Sequence, residues 1–329
     1  MIKILKNKKA ITEILAFSVL LLFAIMLSTN KKYQTAVTEG IMLWAAAVLP
    51  ALFPYLVITS IVSSLKITAK ISTALSPFTT KIFNVNGNAG YALFLSLMCG
   101  YPVGAKCVSD LKTRKLIGEA ESVRASALCS SSSPVFLMGS VGNLTFGNPF
   151  FGLILFITHF LSVLTVGFIF SFYHRHEPPH KTTELNALNG SDNILYDSVY
   201  SAVISVLVVG GIITIFYLLT EILSDIGALK FLSSLFNIFT DNEKISEGLA
   251  SGIFECTKGI KILASGGISV FTLPIVAAIC GFGGVSVIMQ SIAYLKKAQI
   301  KTAPFILSKT LAAVINFILG FILSAVFLA

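Results

Sequence analysis

Long apolar runs recur along this chain, and most are close to the ~20 residues that carry a helix across a bilayer. They cover about Ile14 to Leu27, Ile41 to Leu65, Phe150 to Tyr173, Ser198 to Leu223 and Ala303 to Leu328, with two more interrupted near Gly100 and Gly281. Inside hydrocarbon an unpaired backbone group costs several kcal/mol, so segments of this kind must be helical. The remainder gives no room for a soluble domain: 55% of the residues are hydrophobic, 12% are charged, and the mean hydropathy is +0.87. The expected fold is an all-α polytopic membrane protein of about eight to ten membrane segments, some broken or re-entrant, in two pseudo-repeated halves. The lipid bilayer is its first partner.

The formal net charge of +9 does not point to nucleic acid, because its basic residues sit in short clusters between apolar runs and no polar domain carries them. Retention of Lys and Arg on the cytoplasmic side places 106–124, 174–181 and 296–301 in the cytoplasm and the more acidic 224–247 outside. Lys3, Lys6, Lys8 and Lys9 precede a first run that reads as a retained helix, since no small-x-small cleavage site follows it. Those lysines would be forced outside if every run crossed once, so residues 89–105 are expected to form a re-entrant hairpin. The divisions are 1–38, a basic segment and first helix; 39–173, a first half; 174–197, a polar linker with Pro178-Pro179; and 198–329, a second half. Cys99, Cys107, Cys129, Cys256 and Cys280 read as small buried residues. His174, His176 and His180 with Glu177 read as a solvated loop, and no metal or other cofactor is expected.

The interruptions carry the polar chemistry. Gly100, Pro102 and Gly104 break an apolar segment that ends at Lys106, leaving peptide groups that a helix cannot pair. At membrane depth such backbone is tolerated where it lines a protein-enclosed cavity. Cys129-Ser130-Ser131-Ser132-Ser133-Pro134 is a second break, with Ser133 expected as N-cap and Pro134 at the first helical position. Cys280-Gly281-Phe282-Gly283-Gly284 is a third, and its likeness to Cys99-Gly100-Tyr101 suggests an internal repeat. Half-helix N-termini, serine hydroxyls and Lys106 together suit an anion in a poorly screening medium. The competing reading has Lys106 snorkelling to the interface and the serines bonding only helix backbone. The candidate substrate-binding residues are Gly100, Tyr101, Pro102, Gly104, Lys106, Ser130, Ser131, Ser132, Ser133, Gly281, Gly283 and Gly284.

Ile253, Cys256, Ile260 and Leu263 fit one helical face, while Glu255 and Lys258 share another, where they either pair with each other or serve coupling or gating. Lys309 and Asn316 lie inside the last span and are candidates for the same role; His159 reads as a hydrogen-bonded packing residue. No Walker loop is present, and nothing in the sequence ties the serines to a base, so an enzyme is not expected. Whether a sodium ion or a proton couples transport stays open, as does homo-oligomerisation.

Gly100-Tyr101-Pro102-Val103-Gly104-Ala105-Lys106, the run Ser132 to Gly142, Phe146-Gly147-Asn148-Pro149 and Phe254-Glu255-Cys256-Thr257-Lys258-Gly259 together resemble the YlbJ family, also called SpoVV, over about residues 40–325. These are sporulation integral membrane proteins with nucleoside-recognition (Gate) domains, similar to parts of concentrative nucleoside transporters and ferrous-iron permeases. The resemblance implies a transporter, and as its solute dipicolinate, an aromatic dianion, carried across the outer forespore membrane of a spore-forming bacterium. A nucleoside or other small-metabolite transporter, or a non-transporting scaffold of the spore envelope, are the alternatives.

Overall fold

The computed structural model describes residues 31–64, 67–182, 193–240, 242–269 and 271–327. The run at 14–27, expected as a retained first helix, lies outside the described residues, as does most of 183–197 in the expected linker. Among the described residues every regular element is helical, and five helical spans are long and apolar enough to cross a membrane.

The described residues begin with a rod. Helix α1 (Lys31–Leu43), a π-helical turn (Trp44–Val48) and α2 (Leu49–Ser64) run on as one apolar span over Lys31–Val62. The wide turn falls just before Pro50, whose missing N–H leaves the preceding carbonyls out of the α-helical ladder. Within the same turn Ala47 O accepts from Ser140 Oγ at 3.0 Å. Helix α3 (Ile67–Phe83) follows.

Next comes a unit of three parts. Helices α4 (Gly87–Cys99) and α5 (Val103–Thr113) turn back on each other and are each too short to cross a bilayer. Helix α6 (Glu119–Leu128), a non-helical stretch and a π-helix (Val135–Thr145) make an interrupted segment, and α7 (Pro149–Phe170) is a plain span. The predicted starts are present: Asn148 Oδ1 accepts the Phe151 N–H at 3.1 Å with Pro149 at the first position, and Ser133 Oγ accepts the Phe136 N–H at 3.2 Å.

Helix α8 (Ile194–Asp225) packs along the first rod. Trp44 Nε1 donates to Val206 O at 3.1 Å, and Gly210 leaves room for the indole face. Helix α9 (Ala228–Asn237) then leads to a second unit of the same design. Helices α10 (Glu243–Phe254) and α11 (Cys256–Ser265) form a hairpin, closed tightly because Gly252 and Gly259 bring the two backbones into contact. Helices α12 (Thr272–Phe282) and α13 (Gly284–Lys297) form one interrupted span, and α14 (Thr302–Phe327) is plain. Spans α7 and α14 meet through Asn316 Nδ2, which donates to Ser162 Oγ at 2.8 Å.

Two expectations are corrected. The likeness of Cys99-Gly100-Tyr101 to Cys280-Gly281-Phe282 pairs a hairpin tip with a break in a continuing span; the structural repeat instead matches hairpin with hairpin and interrupted span with interrupted span. Glycine breaks look alike in sequence whether the chain reverses or runs on. The second concerns the face proposed for Ile253 to Leu263: Glu255 is extended, at φ −139° and ψ 110°, so no continuous helix carries it.

The expected linker begins as an ordered strap. Buried Arg124 donates to the carbonyls of Tyr173, His174 and Glu177 at 3.0, 3.1 and 3.0 Å. Buried Glu121 accepts the N–H groups of Asn86, Gly118 and His180 at 2.8, 3.2 and 3.0 Å. Each charge thus meets backbone dipoles, with Arg124 Nε alone of these donors left unbonded, and residues 173–180 are fastened to α6.

Candidate functional site

All four interruptions meet. At the tip of the first hairpin Gly100 has φ +77°, and a Cβ there would stand 2.8 Å from the Ser133 amide nitrogen. Gly104 lies flush against the Cys129 carbonyl, where no side chain fits. These glycines therefore serve close approach of the tip to the serine run, beyond the backbone freedom that the sequence suggests. In the second unit Gly284, at φ +77°, sits against the second hairpin's tip, its notional Cβ 3.1 Å from both Cys256 N and Phe254 O.

Tyr101 joins the units. Its hydroxyl donates to Cys280 O at 3.0 Å and accepts from Lys309 Nζ at 2.9 Å, and the ammonium stands 4.1 Å from the ring centroid. Gly283 leaves room for the ring's edge, and the Ser132 side chain lies beside the hydroxyl. Lys309 is 1% exposed, and among the described residues no carboxylate pairs with it; its electrostatic neighbours are the thiols of Cys256 and Cys280. A lysine at the centre of a membrane span costs about 3 kcal/mol by insertion measurements, which the hydroxyl and the ring face offset in part.

His159 of α7 accepts the Ser132 N–H on Nε2 at 2.9 Å, which puts its own proton on Nδ1. That Nδ1–H lies against Asn316 Oδ1, and neither atom has another hydrogen-bond partner. Asn316 also blocks any side chain at Gly281. Of the serine run, Ser131 Oγ donates to Ser132 O at 2.9 Å, Ser133 caps the π-helix, and Ser130 Oγ is buried without a partner.

The centre borders a cavity. Tyr101, Pro102, Val103 and Lys106 wall a cavity of about 140 Å³ whose opposite wall is α8, at Ser205 and Val209, with Gln290 and Tyr294 of α13 at its side. A second cavity of about 170 Å³ shares Leu56, Val103, Lys106 and Ser205 and adds Asp110. Of the sequence candidates, then, Tyr101, Pro102 and Lys106 face the cavity. Gly100, Gly104, Ser130 to Ser133, Gly281, Gly283 and Gly284 build the packed wall behind it.

The coupling candidates separate. Lys309 and Asn316 belong to the centre. Glu255 is buried, caps α11 by accepting the Lys258 N–H at 2.8 Å, and bonds the Thr257 hydroxyl. The Lys258 ammonium turns away to Glu221 Oε1 at 2.5 Å and Thr220 Oγ1 at 2.8 Å, both on α8. The i, i+3 pairing of Glu255 with Lys258 is thus replaced by a cap and a tie between hairpin and α8. Among the described residues, the ligand types of a metal site gather at His174, His176 and Glu177, whose donor atoms lie within 4.8 Å of one another on the exposed strap, away from the interruptions. Sequence reasoning left His159, Cys256 and Gln290 out of the site; only His159, by its depth in an apolar span, carried a signal.

No family model matches the chain, and no solved structure matches it. It is 29% identical over 327 residues to the sporulation integral membrane protein YlbJ of Bacillus subtilis (strain 168), an alignment covering 92% of this chain and 80% of that protein. Over nearly its whole length, then, this multi-pass membrane protein is similar to a sporulation integral membrane protein of Bacillus.

Proposed function

We propose that this protein acts in sporulation as a transporter of a small organic anion, with dipicolinate carried across the outer forespore membrane as its substrate. The observation that carries the reading is the meeting of both hairpin tips and both broken spans around Tyr101 and Lys309, beside a cavity lined by Lys106. Interrupted helices at membrane depth are costly unless a solute path needs them. Two lysines near one cavity suit a dianion, and Tyr101 with the apolar face of α8 suits an aromatic ring. Nothing in this arrangement supplies a nucleophile with a base, so we read the chain as a carrier and not an enzyme.

The test is uptake of labelled dipicolinate by proteoliposomes containing the purified protein. Saturable uptake that unlabelled dipicolinate competes and nucleosides do not is the expected result. Competition by nucleosides with no effect of dipicolinate would move the substrate class. Absence of uptake, with tolerance of Tyr101→Ala in a sporulation assay, would favour a scaffold of the spore envelope.

A further inference from the structure

Lys309 poses a question that packing does not answer: a fully buried ammonium, at the depth of a membrane span, whose hydrogen-bond partner is a neutral hydroxyl. Evolution of a stable span would replace such a group with an apolar one at little cost, since a lone buried charge is expensive and its removal leaves only one phenol to satisfy. A fixed cation kept at that cost needs an anion at some stage of the working cycle. The surroundings agree. Among the described residues no carboxylate is paired with it. Between Lys309 and the cavity stands one side chain, Tyr101, which the ammonium holds by hydroxyl and ring face together.

We propose that Lys309 is a resident counter-cation: it supplies from within the protein the positive charge that an anionic substrate needs, so that anion binding requires no dissolved sodium ion. This deepens the anion-carrier reading and rests on it. Lys106 meets the anion at the cavity wall, and the Lys309 charge acts on it across the Tyr101 side chain, in surroundings that screen poorly. Because Lys309 is covalently part of α14, it stays in place in every state of the carrier, and its contribution to affinity does not vary with the sodium gradient.

The test is equilibrium binding to purified protein of labelled dipicolinate and of the neutral pyridine-2,6-dimethanol, in sodium chloride and in N-methylglucamine chloride of equal strength. Wild type is expected to bind the dianion equally in both salts. Lys309→Met is expected to weaken dianion binding at least tenfold while changing binding of the neutral analogue less than twofold, with Lys309→Arg recovering part of the loss. Helical content and the melting curve of each variant show that the fold persists. Lys309→Met that binds the dianion as wild type does, or wild type that needs sodium, overturns the resident cation and leaves the carrier reading standing. Failure of wild type to bind dipicolinate in either salt overturns both.

Discussion

Lys309 Nζ lies 2.9 Å from the hydroxyl of Tyr101, 208 residues earlier in the chain, and that hydroxyl in turn donates to the Cys280 carbonyl at 3.0 Å. One phenol therefore ties the first hairpin tip to the second broken span and to the last span. Tyr101→Phe keeps the ring under the ammonium and removes both bonds. An unpaired buried carbonyl costs ~1–3 kcal/mol, and an ammonium more. We expect the variant to melt several degrees lower and to take up dipicolinate at least tenfold more slowly. Uptake and melting equal to wild type would show that the hydroxyl has no part in transport.

The fit of the first hairpin against the serine run gives a prediction with an internal control. Gly104 touches the Cys129 carbonyl, which is backbone and cannot rotate away, so Gly104→Ala must push hairpin and serine run apart. Gly211, in α8, has nothing within 4 Å of a notional Cβ, and alanine there gains ~1 kcal/mol of helix propensity. Thermal melting in detergent should fall sharply for the first and hold or rise for the second. Equal behaviour of the two would mean that the tip has slack.

How far the sequence reached can be traced through individual residues. Asn148-Pro149 and Ser133-Pro134 gave helix starts correctly because capping is local chemistry, complete within four residues. Lys309 was visible as a charge inside an apolar run, since depth is also a local property. Its partner was not, because Tyr101 meets it through folding of two separate units. Glu255 and Lys258 misled for the opposite reason: an i, i+3 spacing has meaning only on a continuous helix, and Gly252 with Gly259 makes a hairpin there. The glycine breaks at Gly100 and Gly281 matched in composition while the chain reverses at one and continues at the other.

Arg124 carries a prediction about the strap. It is buried and donates three bonds to carbonyls of residues 173–177, so it holds that segment without taking part in the centre around Tyr101. Arg124→Met strands those carbonyls and should free the strap before it unfolds the spans. Limited trypsin digestion reads this at Arg175 and Lys181: cleavage in the variant should be at least tenfold faster than in wild type. Cleavage at an unchanged rate would mean that Glu121, bound to the His180 N–H, is sufficient to hold the strap.

The last prediction uses the tie between the second hairpin and α8. Glu221 serves two cations, Lys258 at 2.5 Å and Lys32 at 3.3 Å, while Lys258 has Thr220 as a second acceptor. Removing the carboxylate therefore weakens the pairing of two cations, and removing the lysine loses one pair. The groups are partly exposed, so each coupling is worth no more than about 1 kcal/mol and weakens with salt. Glu221→Gln should lower the melting temperature more than Lys258→Met, and the double variant should fall by less than the sum of the two. Reversal to Glu221→Lys with Lys258→Glu should not restore wild-type stability, because Lys32 then faces a second lysine across α1 and α8. Full recovery in the reversed pair would show that Lys32 contributes nothing at Glu221.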